Sequence, residues 1–147
     1  MLVNKIELFY EEIQPFSIQQ SLIQFYVNLL VNKELKKIGD ISIVFCSDDY
    51  LLKMNKQYLN HNYYTDIITF DYVENEIISG DLFISVDRVK ENAKVFDIEM
   101  IIELYRVIFH GVLHLVGYND KTDVEQRIMT EKENLYLSEV DFSELEI

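Results

Sequence analysis

Two histidines, His110 and His114, stand four residues apart in a stretch from Val107 to Val116 that is otherwise apolar. On an α-helix that spacing puts both imidazoles on one face, about one turn apart, where both can ligate one metal ion. Gly117 is a natural helix stop. Past it the chain can turn back and bring Asp120, six residues after His114, to the same face. Two imidazoles and a carboxylate leave a coordination position open, which is the arrangement of a catalytic rather than a structural zinc site. The competing reading is a pair of ordinary histidines. Against it, burying two unpaired imidazoles is costly, and a metal removes that cost. Ligation requires neutral rings, so affinity should fall as pH drops through the histidine range. Glu103 and Arg106 share the stripe in the preceding turns. Gly111 costs about 1 kcal/mol against alanine in a helix interior, which implies that another backbone packs closely there.

The offset His-x-x-x-His-x-x-Gly-x-x-Asp also matches the metal-binding helix of metzincin peptidases, which place a glutamate general base directly after the first histidine. Here that position is Gly111 and residue 120 is not a histidine, so a peptidase lacks its base. A two-histidine, one-carboxylate set could also hold iron in an oxygenase, although nothing in the sequence suggests a cosubstrate site.

The elements that must position these residues follow from periodicity. Leu2, Ile6, Leu8 and Tyr10 alternate as an N-terminal strand. Ser17 and Gln20 read as a capping box opening a helix to about Lys37, with Ile18, Leu22, Phe25, Leu29 and Leu30 at helical spacing. Ile41, Ile43 and Phe45 form a second strand, and Ser47 caps a short helix with Asp48 and Asp49 in its first turn. After a polar and aromatic loop at 60–64, strands at about 65–72 and 77–85 are joined by a turn. Helices follow at 86–96, capped by Ser85, at about 98–116, and after Thr122, which forms a capping box with Glu125. The order predicts one α+β domain over 1–147, with a mixed four-stranded sheet packed on the central buried helix.

The chain of 147 residues is about the size of one domain, and 49% hydrophobic with 27% charged residues it can bury a core. Its net charge of −13 speaks against a non-specific polyanion binder, including DNA. A polyanion would have to dock near residues 33–56, or beside Arg88, Lys90 and Lys94. Cys46 is the single cysteine, which excludes an internal disulfide and cysteine-based zinc motifs. It reads as a small buried hydrophobe. No apolar run reaches the roughly 18 residues of a membrane span. The first residues carry acids where a signal peptide needs an apolar stretch. The expectation is a cytoplasmic protein with no membrane partner.

His110-Gly-Val-Leu-His114-Leu-Val-Gly117-Tyr118 resembles the signature H-G-x-L-H-L-x-G-Y-D-H of the YbeY family, metal-dependent bacterial endoribonucleases and rRNA maturation factors. Thr65-Asp66-Ile67-Ile68-Thr69-Phe70 is similar to that family's T-D-V-L-S-F strand, and Gly80-Asp81-Leu82-Phe83-Ile84-Ser85 to its G-D-I-x-I-S strand. The three motifs occur in family order over roughly residues 40–130. The resemblance implies a single-strand endoribonuclease acting on ribosomal RNA of the small subunit, in ribosome quality control, with ribosome-associated proteins as further partners. It implies His110 and His114 as two metal ligands. The family's third histidine falls on Asp120 and the aspartate before it on Asn119. Zinc is the expected ion, and a carboxylate in place of an imidazole makes the site more tolerant of oxygen-preferring metals. The family often carries an arginine after the tyrosine of its N-x-x-Y-R segment. Here Asn55-Lys-Gln-Tyr58 is followed by Leu59, leaving Lys53 or Lys56 to contact phosphate. The alternative function is a ribosome-assembly binding factor whose metal is structural.

Asp66 and Asp81, at strand starts, are candidates to support a ligand histidine or, equally, to cap backbone donors. His61, between two asparagines, has the loop position of a substrate contact or of an exposed side chain. Tyr63, Tyr64 and Tyr118 could stack on unpaired bases. No general base is assigned from sequence.

Overall fold

The computed structural model describes residues 5–145; the expected place of Leu2 on the first strand lies outside them. The elements run β1 (Ile6–Glu11), α1 (Gln20–Lys33), β2 (Lys37–Cys46), α2 (Asp48–Leu59), β3 (Ile67–Asp71), β4 (Ile77–Ser85), α3 (Val86–Phe96), α4 (Met100–Val116) and α5 (Asp123–Leu137), then a short 3-10 turn at Phe142–Glu144. The sheet has the order β1-β2-β4-β3. β1, β2 and β4 are parallel, and the edge strand β3 is antiparallel to β4. This is a single α+β domain with a mixed four-stranded sheet.

Strand alternation divides the sheet into two unequal faces. Ile41, Ile43, Phe45, Ile78, Leu82 and Ile84 point into the main core with α1 and α4. Cys46, Ile68, Phe70 and Phe83 point the other way, onto Leu51 and Tyr50 of α2. α4 is the hub of the larger layer, touching α1, α3, α5 and both strands of the β3–β4 hairpin. Leu104, Tyr105, Ile108, Phe109, Val112 and Leu113 on it are fully buried, as an all-round apolar helix requires.

Two boundaries differ from the sequence reading. α1 begins at Gln20 after Gln19, whose side chain makes no cap bond, so the Ser17–Gln20 capping box does not form. Gln20 instead donates to the Ile6 carbonyl, and Gln24 Oε1 accepts from the N–H groups of Lys5 (2.8 Å) and Ile6 (3.1 Å). Both glutamines are thus spent tying α1 to the edge strand β1. α1 also stops at Lys33, because Leu35 adopts a left-handed φ of 62° and releases Lys37 into β2. The caps at Ser47, Ser85 and Thr122 form as the residue types dictate.

Candidate metal centre

α4 ends where the sequence marks its stop. Gly117 takes φ 126°, and the N–H groups of Gly117 and Tyr118 bond back to the Leu113 carbonyl at 3.1 and 3.0 Å. This bend carries residues 118–120 back over the last turn of the helix. His110 Nε2 and His114 Nε2 lie 3.0 Å apart, and Asp120 Oδ2 is 3.2 Å from the first and 3.3 Å from the second.

The remaining ring nitrogens explain why these three atoms face each other. His110 Nδ1 is 2.6 Å from Glu133 Oε2, and His114 Nδ1 is 2.8 Å from the Tyr118 carbonyl oxygen. Both partners are acceptors, so each Nδ1 carries the proton and donates it, and each neutral ring turns a lone pair on Nε2 toward the other. Two lone pairs and a carboxylate oxygen meeting without a proton between them repel one another, and a cation at their centre reverses that. An ion taking N and O donors at about 2.0–2.2 Å in a tetrahedral array spaces them by about 3.3–3.6 Å. The observed triangle is slightly tighter than this and is compatible with it. The donor set therefore suits a divalent metal, with His110, His114 and Asp120 each offering one atom. All three donors are partly exposed, Asp120 the most, so the triangle opens toward solvent on one side.

Around the triangle lies a chain of buried charge. Glu133, from α5, is 5% exposed and its Oε1 is 3.4 Å from Arg106 Nη1. Arg106 Nη2 is in turn 3.0 Å from Glu103 Oε1, and its guanidinium lies over the Phe96 ring, 5.3 Å from the centroid. Burial pushes the Glu103 carboxyl up to about 6, against the pull of Arg106. Burial pulls the His110 imidazole down, but the hydrogen bond and charge of Glu133, with Asp120 and Asp66, outweigh it and leave the metal-free ring above its ordinary value.

A cleft of about 650 Å³ opens at the triangle, between the last turns of α4 and the α4-facing side of the edge strand β3. Thr65, Asp66, Ile67, Thr69 and Asp71 form one wall, and Asn119, Asp120 and Lys121 another. A recess of about 340 Å³ adjoins it beneath Arg106 and Glu133, and Asp66, His110 and Asp120 border both. Burial raises the Asp66 carboxyl above the usual range, although positive charge on His110 opposes this.

The other expected contacts fall elsewhere. Asp81 sits at an odd position of β4 beside Phe83, on the face turned to α2, and accepts from Tyr72 Oη at 3.1 Å. Strand alternation points it away from the α4 histidines, so it supports neither of them. His61 stacks on Tyr63 with its Nδ1 2.9 Å from that hydroxyl, outside the cleft walls. Lys53 is 3.8 Å from Glu12 and borders a separate shallow groove with Tyr50 and Tyr58. Lys56 is exposed on α2, and neither lysine lines the cleft, whereas Leu59 does. Gly111 also differs from expectation. A Cβ there would meet the tips of Ile67 (2.7 Å) and Leu82 (2.9 Å), which are side chains and not backbone. Among the tyrosines, Tyr118 is held by partners within the protein, with Lys132 Nζ 5.5 Å from its ring centroid. Its hydroxyl donates to Glu34 at 2.5 Å.

Glu133 was not picked out from the sequence. Its signal was an acid at the centre of the buried stripe Met129, Glu133, Tyr136 of α5, where an unpaired carboxylate would not be tolerated.

An α+β sheet with a buried helix that aims two imidazoles and a carboxylate into an open cleft has the donor arrangement of a candidate metal site with a free coordination position. Comparison with known proteins gives it a family. The model described as Endoribonuclease YbeY matches residues 6–141. Proteins named Endoribonuclease YbeY from Parabacteroides distasonis and Cytophaga hutchinsonii are 49% and 47% identical to the chain. The first alignment covers 90% of this chain and 94% of that protein, and the second 94% and 97%. A solution structure of a Thermotoga maritima protein superposes with a TM-score of 0.63 at 26% identity, over 90% of this chain and 88% of that one. The chain belongs to the YbeY family of endoribonucleases.

Proposed function

We propose that this chain is a metal-dependent endoribonuclease that cuts single-stranded RNA, with His110, His114 and Asp120 holding the ion, and that it acts in the cytoplasm on ribosomal RNA of the small subunit. The observation that carries the reading is the orientation of the two rings. Glu133 and the Tyr118 carbonyl occupy both Nδ1 positions, so both Nε2 lone pairs join Asp120 Oδ2 at the mouth of the cleft. Zinc is the ion that two imidazoles and one carboxylate favour, and once bound it supplies Lewis acidity toward a phosphodiester. The chain's own residues do the rest. Glu133 and Tyr118 hold the donor rings in one tautomer. The open β3 wall gives an extended strand a surface to lie along beside the donors, the form in which RNA bases are accessible to side chains. Asp66, raised by burial, is the cleft carboxylate best suited to take up a proton during cleavage.

Elemental analysis of the purified protein, together with cleavage of a single-stranded RNA by wild type and by His114→Ala, tests this. The expected result is one divalent ion per chain, lost in the variant along with cleavage. Equal cleavage by both would remove the hydrolase assignment from this site.

A second reading, an assembly factor whose metal is structural, draws support from the acidity of the cleft, where Asp66, Asp71 and Asp120 line the walls. Co-sedimentation with small ribosomal subunits that survives in His114→Ala, without cleavage by wild type, would favour it.

A further inference from the structure

The cleft walls bring three carboxylates, Asp66, Asp71 and Asp120, to the place where an RNA strand must carry its phosphates, and they bring one cation, Lys121. Of the other basic side chains, Arg106, Lys132 and Lys53 are already engaged, and none of the three lines the cleft. Arg106, in the adjoining recess, is held between Glu103 at 3.0 Å and Glu133 at 3.4 Å. Lys132 is 3.0 Å from Glu34, and Lys53 is paired with Glu12. Among the described residues, Lys121 forms no ion pair.

Its backbone is nonetheless fixed. Lys121 lies between Asp120, in the donor triangle, and Thr122, whose N–H donates to Glu125 Oε1 at 3.0 Å while Glu125 N–H donates to Thr122 Oγ1 at 3.1 Å. The capping box anchors the stem of an exposed lysine at the rim of the cleft and leaves its ammonium group unspent. Leu59 adds an apolar side chain to the lining of the same cleft.

We infer that Lys121 is the phosphate-binding residue of the cleft, gripping the RNA backbone beside the donor triangle and offsetting the carboxylates around it. The inference rests on the endoribonuclease reading and adds to it the group that holds the substrate. An ammonium on a flexible stem is a point charge with no fork geometry. It should therefore bind phosphate without selecting sequence.

The test compares wild type, Lys121→Gln and Lys121→Arg on a fluorescein-labelled single-stranded RNA, with metal content measured on each. Lys121→Gln should raise KM about tenfold, the loss of one charge-assisted hydrogen bond. It should leave kcat and bound metal unchanged. It should also flatten the salt dependence of binding by about 0.7 in the log–log slope, the increment for one phosphate contact on a single strand. Lys121→Arg should restore KM. If Lys121→Gln keeps the wild-type KM and salt slope while wild type cleaves, the inference falls alone. If Lys121→Gln loses metal, the residue is structural and the inference also falls. If wild type neither binds nor cleaves RNA, the functional reading fails first, and visibly so.

Discussion

Glu133 Oε2 lies 2.6 Å from His110 Nδ1, so a carboxylate on α5 decides which nitrogen of an α4 imidazole faces the cleft. Replacing it with alanine leaves Nδ1–H unpaired in a buried setting and frees the ring to turn. Glu133→Ala should weaken metal binding by about 10–100-fold, the usual cost of removing such a supporting group. Glu133→Gln keeps an oxygen acceptor and should lose less. Competition against a chromophoric chelator measures both, and equal affinity for Glu133→Ala and wild type would show that His110 needs no such support.

Glu34 sets a pH dependence of stability. Burial would raise its carboxyl, but bonds from Tyr118, Tyr136 and Lys132 outweigh that and hold it below the usual range. A carboxyl depressed by folding contributes stability that is present above its unfolded value of about 4.3 and is lost as pH falls through the lower folded value. Wild type should therefore be more stable than Glu34→Gln at neutral pH, with the difference shrinking in acid. Thermal unfolding of the pair across a pH series checks this, and a difference that grows in acid would reverse the sign.

Two glycines should respond differently to alanine. At Gly80 the new Cβ would lie 2.5 Å from the Phe70 carbonyl oxygen, a backbone atom fixed in the β3–β4 ladder. At Gly111 it would meet only side-chain tips, and alanine recovers about 1 kcal/mol of helix propensity. Gly80→Ala should cost about 3 kcal/mol, toward the upper end of overpacking effects. Gly111→Ala should stay within about 1 kcal/mol of wild type. Urea denaturation ranks them.

Cys46 should be inert. It is fully buried, with Sγ 3.4 Å from the Ile84 carbonyl oxygen, and burial, aided by Asp48 and other nearby carboxylates, pushes its thiol up to about 12. A thiol reagent at mildly alkaline pH should find no reactive group in the folded chain and one in denaturant.

The histidine helix was legible in the sequence because its information is local. Four-residue spacing, an apolar surround and Gly117 together fix one face and one stop, and the turn back to Asp120 follows. The Thr122 cap was legible for the same reason. What stayed hidden depends on distant elements. Asp81 looks like a strand-start partner until the alternation of β4 turns it to the α2 face. Lys53 and Lys56 read as substitutes for a missing cation, but α2 packs on the far side of the sheet from α4. The two glutamines of α1 resemble capping and surface residues because nothing near them in sequence shows that an edge strand needs their amides.

Tyr118 joins the end of α4 to Glu34, a partner 84 positions earlier in the chain. Closing so long a loop costs entropy that local helix formation does not repay. The bend that carries Asp120 is tied to the N-terminal half of the chain as well as to its own helix. A fragment starting beyond residue 34 would keep both imidazoles and Asp120 but lose this outer tie, leaving the bonds to Leu113 and His114 to hold the turn.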